Sequence, residues 1–67
     1  MRPCWCVLDR EGLWHATFRG HGPDPGAWSD RVACGGYVAL RHAHGRRLPT
    51  CPGCLARVRR RRENRRR

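Results

Sequence analysis

Two short runs of mostly apolar residues lie near the start of the chain. The runs "CWCVLD" and "LWHATF" are rich in aromatic and branched residues, and Arg10-Glu11-Gly12 lies between them. Runs of this kind, separated by a few turn residues, predict two antiparallel β-strands. We therefore expect an N-terminal β-hairpin with a three-residue loop, in which Gly12 takes the left-handed conformation.

The middle of the chain has a weaker pattern. "RGHGPDPGAWSD" is dense in glycine, proline and acids, which predicts a loop over residues 19–30. "RVACGGYVALRH" predicts a short third strand over residues 31–42, with Gly35-Gly36 as a bend or bulge inside it. "AHGRRLP" predicts a second turn.

The pattern becomes helical at Thr50. Either Thr50 or Cys51 can cap a helix, and Pro52 suits the first helical position. Leu55 and Val58 have the i, i+3 spacing of one helix face. Because the arginines that follow repel one another, we expect this helix to fray into them.

The size of the chain limits its core. At 67 residues it buries only about 60% of the surface that the unfolded chain exposes, and such small domains usually need a disulfide, a metal or a partner. Five cysteines are an odd number for a fully paired secreted framework. No apolar signal segment or membrane-spanning run is visible. We therefore expect a cytoplasmic, reduced protein whose cysteines bind metal.

The cysteine spacing indicates a metal site. Cys51 and Cys54 have the Cys-x-x-Cys spacing that lets two thiolates bind one tetrahedral zinc ion. Cys34, which two glycines follow, is the strongest candidate for a third ligand. The candidates for the fourth ligand are Cys4, Cys6, His15, His21, His42 and His44.

Three motifs suggest a family. "LWHA", "ACGG" and "PTCPGC" follow one another, and this order resembles the small zinc-finger proteins of actinobacteria and their phages. The resemblance implies one structural zinc ion held by His15, Cys34, Cys51 and Cys54. The Cys-x-x-Cys pair before a helix also looks like the last half of a treble clef. The expected fold class is therefore a small zinc-stabilised α+β fold, treble-clef-like or zinc-ribbon-like, with a hairpin, a third strand and a cationic helix.

The hairpin register also favours His15. A three-residue loop pairs Val7 with His15, and alternation then places Cys4 and Cys6 on the opposite face. In that register neither cysteine shares a metal with His15. A two-residue or four-residue loop would instead let Cys6 compete with His15, so the choice between them depends on the loop.

Charge is concentrated at the C-terminus. All fifteen basic residues are arginine and the net charge is +10. Residues 57–67 hold eight arginines and one glutamate, a net +7, whereas the other 56 residues hold seven arginines and four acids, a net +3. We therefore divide the chain into a zinc-binding body, residues 1–56, and an arginine-rich helical extension or tail, residues 57–67. Such a charge favours polyanionic partners.

These observations predict a zinc-stabilised module that binds nucleic acid, DNA rather than RNA, with a regulatory role in a bacterial cytoplasm or nucleoid. Asn64 is placed to reach base edges, and Trp5 or Trp28, if exposed, to stack on single-stranded bases. The predicted phosphate contacts come from Arg57, Arg59, Arg60, Arg61, Arg62, Arg65, Arg66 and Arg67.

Two other classes of function compete with this prediction. An adaptor that binds an acidic protein, in the transcription machinery or a ribosome-like assembly, would use the same arginines, with the tryptophans as interface anchors. An enzyme is disfavoured, because the acids are scattered and no glycine-rich phosphate loop is present. We expect neither a membrane nor a small-molecule substrate as a partner.

Overall fold

The computed structural model describes residues 2–65, which form five short strands and one helix. In chain order the elements are β1 (Cys4–Leu8), β2 (Trp14–Ala16), β3 (Ser29–Arg31), β4 (Tyr37–Ala39), β5 (His44–Arg47) and α1 (Pro52–Arg65). An antiparallel sheet has the order β2-β1-β5, and β3 and β4 form a second, two-stranded sheet. The predicted small α+β class is therefore confirmed. Within the described range, no helix is both long and apolar enough to cross a membrane.

The N-terminal hairpin has the predicted register. Val7 pairs with His15, and the backbone N–H of Asp9 donates to the carbonyl of Leu13 at 2.9 Å. Gly12 has a φ of +90°, in the left-handed region that a residue with a Cβ rarely adopts. The three-residue loop is thus confirmed.

The predicted single third strand is wrong, because the chain forms two strands there. Ser29 already begins β3 inside the predicted loop, and the chain reverses direction around Cys34. The N–H of Gly35 donates to the carbonyl of Val32 at 3.0 Å, and the N–H of Val32 donates to the carbonyl of Gly36 at 3.1 Å. Because Gly35 and Gly36 have φ values of +95° and +92°, the two glycines make a tight turn instead of a bend within one strand.

The predicted turn in "AHGRRLP" is also wrong. His44–Arg47 form β5, which pairs antiparallel with β1 and places Gly45 opposite Cys6. The segment has no apolar alternation, so its sequence carries no strand signal of its own. The conformation of this segment is decided by backbone pairing with the free edge of β1. In addition, the Arg47 guanidinium lies 4.2 Å from the Trp14 ring centroid.

The helix begins at Pro52, as predicted, and packs against β2, with Val58 half-buried. It crosses the boundary predicted between residues 56 and 57 and continues to Arg65, so the expected fraying does not occur up to that point. Arg66 and Arg67 lie outside the described residues. The helix helps to cover a small core. Within the described residues, the buried apolar side chains are Cys6, Val7, Ala16, Val32, Cys51 and Cys54, and half of them are cysteines.

Candidate metal centre

Four side chains from separate parts of the chain meet at one point. The candidate ligand atoms of His15, Cys34, Cys51 and Cys54 all lie within 4.8 Å of one another. The Nδ1 atom of His15 is 3.6 Å from the sulfur atoms of both Cys34 and Cys54. A tetrahedral ion with Zn–S of about 2.3 Å and Zn–N of about 2.05 Å separates nitrogen and sulfur by about 3.6 Å. These four residues are therefore a candidate metal site.

The hairpin and the β3–β4 turn supply the first two ligands. His15 is the central residue of β2. The turn that carries Cys34 is held beside β2 by a hydrogen bond from the Ala33 N–H to the Ala16 carbonyl, 2.7 Å, and by a bridge between Thr17 and Val32. The first two ligands thus come from two different elements, unlike those of a treble clef, which normally share one knuckle.

The start of α1 supplies the other two ligands. The N–H groups of Thr50 and Cys51 both donate to the Trp14 carbonyl, at 2.9 and 3.0 Å, and the Thr50 hydroxyl accepts the Trp14 N–H at 2.8 Å. Thr50 therefore anchors the chain to β2, beside His15. Cys51 is the helix cap, because its carbonyl accepts the first helical hydrogen bond, from the N–H of Leu55 at 2.9 Å.

Gly53 allows these two units to approach each other closely. A Cβ atom at this position would lie 2.9 Å from the Cβ of Cys34 and 3.8 Å from the sulfur of Cys51. Real Cβ atoms do not come that close, so any larger residue would push the Cys34 turn away from the helix. The glycine inside the Cys-x-x-Cys motif is thus a requirement of tertiary packing.

Asp9 holds the far side of the histidine ring, a role not predicted from the sequence. Its Oδ2 is 2.6 Å from the Nε2 of His15, and its Oδ1 accepts the N–H groups of Glu11 and Leu13 at 2.8 and 2.9 Å. The bond to His15, followed by the Leu13 N–H, lowers the pKa of Asp9. A signal was available, because the predicted register places Asp9 on the same face as Val7 and His15.

Burial and local hydrogen bonds act differently on the two helix cysteines. Burial raises the pKa of Cys54 to about 12. Burial also acts to raise the pKa of Cys51, but the N–H groups of Cys54 and Gly53 and the thiol of Cys34 outweigh it and leave the pKa below its ordinary value. A bound dication would favour the thiolate form of all three cysteine ligands, as metal coordination does in other thiol sites.

The remaining cysteines and histidines lie apart from this cluster. Cys4 and Cys6 have their sulfur atoms 3.8 Å from each other, and the thiol of Cys6 contacts the Arg47 carbonyl at 3.3 Å. Burial raises the pKa of Cys6 to about 12. The other candidate histidines, His21, His42 and His44, are exposed and also lie outside the four-residue cluster.

Six of the eight predicted nucleic-acid-binding residues lie along α1, and the other two are outside the described residues. Arg57, Arg59, Arg60, Arg61 and Arg65 are exposed, and Arg62 is half-buried. Of the two tryptophans considered for stacking, Trp28 is 91% exposed. Trp5 is half-buried, with its ring centroid 5.7 Å from that of His44.

Comparison with protein-family models, with curated proteins and with solved structures gives no significant match. The function is therefore inferred from the residues of this chain.

Proposed function

We propose that this protein is a structural-zinc module that binds nucleic acid, DNA rather than RNA, in a regulatory role. The observation that carries the proposal is the position of the four-residue cluster at the first turn of an arginine-rich helix. A metal bound there would fix the helix to both sheets, and so fix the direction of its charged surface.

The donor set favours zinc. Three thiols and one imidazole, at separations that fit a tetrahedron, are the ligands of a Cys3His zinc site. Four protein ligands leave no coordination position for water or substrate, so we assign the site a structural role and no catalytic one. With three thiolates and one dication, the formal charge of the chain changes from +10 to about +9.

The charge of α1 favours nucleic acid. Between Arg57 and Arg65 the only acidic residue is Glu63, and arginines cover both the outer face and the flank toward the sheet. Arginines that neutralise phosphates release counterions, so binding depends strongly on salt. Asn64, which is exposed on the same helix, is the candidate for a base contact.

An acidic protein is the second candidate partner. The observation that favours it is Trp28, which is 91% exposed in the loop before β3. Exposed tryptophan and arginine are frequent anchors of protein interfaces.

The test is a fluorescence-anisotropy titration of a labelled 20-base-pair DNA with the zinc-loaded chain at several salt concentrations. We expect affinity to fall steeply with salt. Substitution of Arg57, Arg59 and Arg60 by Gln should reduce the salt slope by up to about 0.9 for each phosphate that is no longer neutralised.

The matched control removes three exposed arginines from the body by substituting Arg10, Arg41 and Arg46 with Gln. An equal loss of affinity in this control would mean that net charge, and not the helix, provides the affinity. If the zinc-loaded chain shows no salt-dependent binding to duplex or single-stranded DNA, the proposal is overturned. The acidic protein is then the remaining candidate.

A further inference from the structure

Two cavities adjoin on one side of the molecule. The first, about 310 Å³, lies between the end of β2, the long loop and the β3–β4 hairpin. The second, about 280 Å³, lies between α1 and β2. Arg19 lines both, and its chain neighbour Phe18 lines the first. The two cavities therefore meet at the Arg19 side chain.

The second cavity, which we call the basic cavity, is cationic. Of the described residues that line it, none is acidic, and four are arginines: Arg19, Arg61, Arg62 and Arg65. Two of these side chains are held by the body, because Arg61 donates to the carbonyl of Phe18 at 3.4 Å and Arg62 donates to the carbonyl of Arg2 at 2.5 Å. Like charges at close range are unfavourable unless an anion lies between them, and guanidinium groups bind phosphate oxygens well.

The first cavity, which we call the aromatic cavity, has a different character. The Arg31 guanidinium lies 4.6 Å from the Phe18 ring centroid, and Tyr37 pairs directly with Arg31 across the β3–β4 hairpin. Phe18 and Tyr37 are 51% and 73% exposed. A flat ring with polar edges, such as a nucleobase, can stack on such side chains.

The charges of the aromatic cavity balance. Its lining includes Arg19 and Arg31 but also Asp24 and Asp30. The Arg19 guanidinium lies 3.3 Å from the Asp24 carboxylate. A phosphate therefore gains little there, whereas a neutral base can use the same carboxylates and guanidinium groups as hydrogen-bonding partners. The two cavities thus suit the two halves of a nucleotide.

We propose that the basic and aromatic cavities form one nucleotide subsite for single-stranded nucleic acid. A phosphate lies among the cavity arginines of α1, and an unstacked base lies against Phe18 and Tyr37. This inference rests on the proposed function and narrows its target. Bases of a duplex are stacked on each other, so their faces are not available to these rings without unstacking.

The base half is tested with the zinc-loaded full chain, a labelled 15-nucleotide oligo-dT and a 15-base-pair duplex. We expect the double variant Phe18→Ala, Tyr37→Ala to lose about 10- to 100-fold in affinity for the single strand, and to change its duplex affinity by less than about twofold. The control is Leu48→Ala, which removes an exposed apolar side chain that lines neither cavity. Unchanged single-strand affinity in the double variant, or an equal loss in the control, would overturn the subsite.

The phosphate half is tested with two variants of equal charge. Arg62→Gln with Arg65→Gln removes two arginines of the basic cavity, and Arg57→Gln with Arg60→Gln removes two exposed arginines that do not line it. We expect the first pair to lose at least fivefold more single-strand affinity than the second, with zinc content unchanged in both. Equal losses would show only general attraction between charges and would overturn the subsite.

Failure of the subsite and failure of the proposed function give different results. If the duplex binds as tightly as oligo-dT and the aromatic variant has no effect, nucleic-acid binding stands and the subsite is wrong. If neither DNA nor oligo-rU binds, both are wrong. Oligo-rU presents the same phosphates and base faces, so binding of oligo-rU without oligo-dT would leave the subsite in place and contradict the preference for DNA.

Discussion

At the scale of single residues, the centre of the candidate site is the His15 ring. One ring nitrogen faces the thiols of Cys34 and Cys54, and the other contacts the Asp9 carboxylate at 2.6 Å. Asp9 is itself held by two backbone N–H groups of the hairpin loop. A carboxylate in this position fixes the tautomer and orientation of a metal-binding histidine and increases its basicity.

The first prediction concerns that carboxylate. Asp9→Asn removes the negative charge while keeping the size of the side chain, so the imidazole becomes a weaker donor to the metal. We expect zinc affinity to fall about 10- to 100-fold. The measurement is a competition titration against a chromogenic chelator.

The control for this prediction is Glu11→Gln, which removes the same charge from an exposed side chain in the same loop. Its zinc affinity should stay within about twofold of that of the unmodified chain. Should both variants lose affinity equally, the general charge of the loop would explain the effect and the positioning role of Asp9 would be wrong.

At the scale of elements, the β3–β4 turn and the start of α1 fit together at Gly53. A Cβ at Gly53 would be 2.9 Å from that of Cys34. Helix propensity and tertiary packing therefore make opposite demands on this position, because alanine is the better helix former and glycine is the one that fits. The close packing of the turn against the helix prevails.

The second prediction is the effect of Gly53→Ala. Propensity alone would stabilise the helix by roughly 0.5–1 kcal/mol, whereas overpacking costs typically 1–3 kcal/mol. We expect a net loss of about 1 kcal/mol or more in the free energy of unfolding, together with weaker zinc binding. Denaturant titration of the zinc-loaded protein measures the free energy of unfolding, and chelator competition measures the zinc affinity.

A matched substitution is Gly45→Ala in β5, where an added Cβ would meet no atom within 4 Å and the backbone is not left-handed. This substitution should leave the free energy of unfolding and the zinc affinity nearly unchanged. If Gly53→Ala were as stable as the unmodified chain or more so, the close approach between helix and turn would not limit this position.

At the scale of the whole molecule, the candidate metal site takes the place of a larger hydrophobic core. Among residues 2–65, six apolar residues are buried and three of them are cysteines, of which Cys51 and Cys54 belong to the candidate site. The site joins β2, the β3–β4 turn and α1. A bound zinc ion would supply folding free energy on the order of 10 kcal/mol, more than a core of this size provides.

The third prediction is that the metal controls folding. We expect native mass spectrometry to show one zinc per chain, and chelation to abolish the helical circular-dichroism signal, which zinc should restore. Because protons compete with the metal for three thiols and one imidazole, affinity should fall as the pH is lowered from 8 to 5. The raised pKa of Cys54 acts in the same direction, since its proton is harder to displace.

Two serine variants make this prediction specific. Cys34→Ser removes a candidate ligand and should lose zinc and structure together. Cys4→Ser changes a half-buried thiol outside the cluster and should keep both. A chain that stays folded without metal would contradict the structural role of the site.

The local patterns of the sequence determined a large part of this fold. The loop length and Gly12 were enough to predict the hairpin register and the face of His15, because both depend on neighbouring residues. The capping candidates Thr50 and Cys51, followed by Pro52, were enough to predict the start of α1. The sequence, read together with a family resemblance, also predicted the four residues that the structure brings together.

Other features were decided only by the tertiary structure. The β5 segment has no strand pattern of its own and is a strand because the edge of β1 is free to pair with it. Asp9, Gly53 and the two adjoining cavities gain their roles from groups distant in sequence. Short-range preferences act between neighbours along the chain, whereas edge pairing, close packing and the meeting of four ligands depend on segments that come together only when the chain folds.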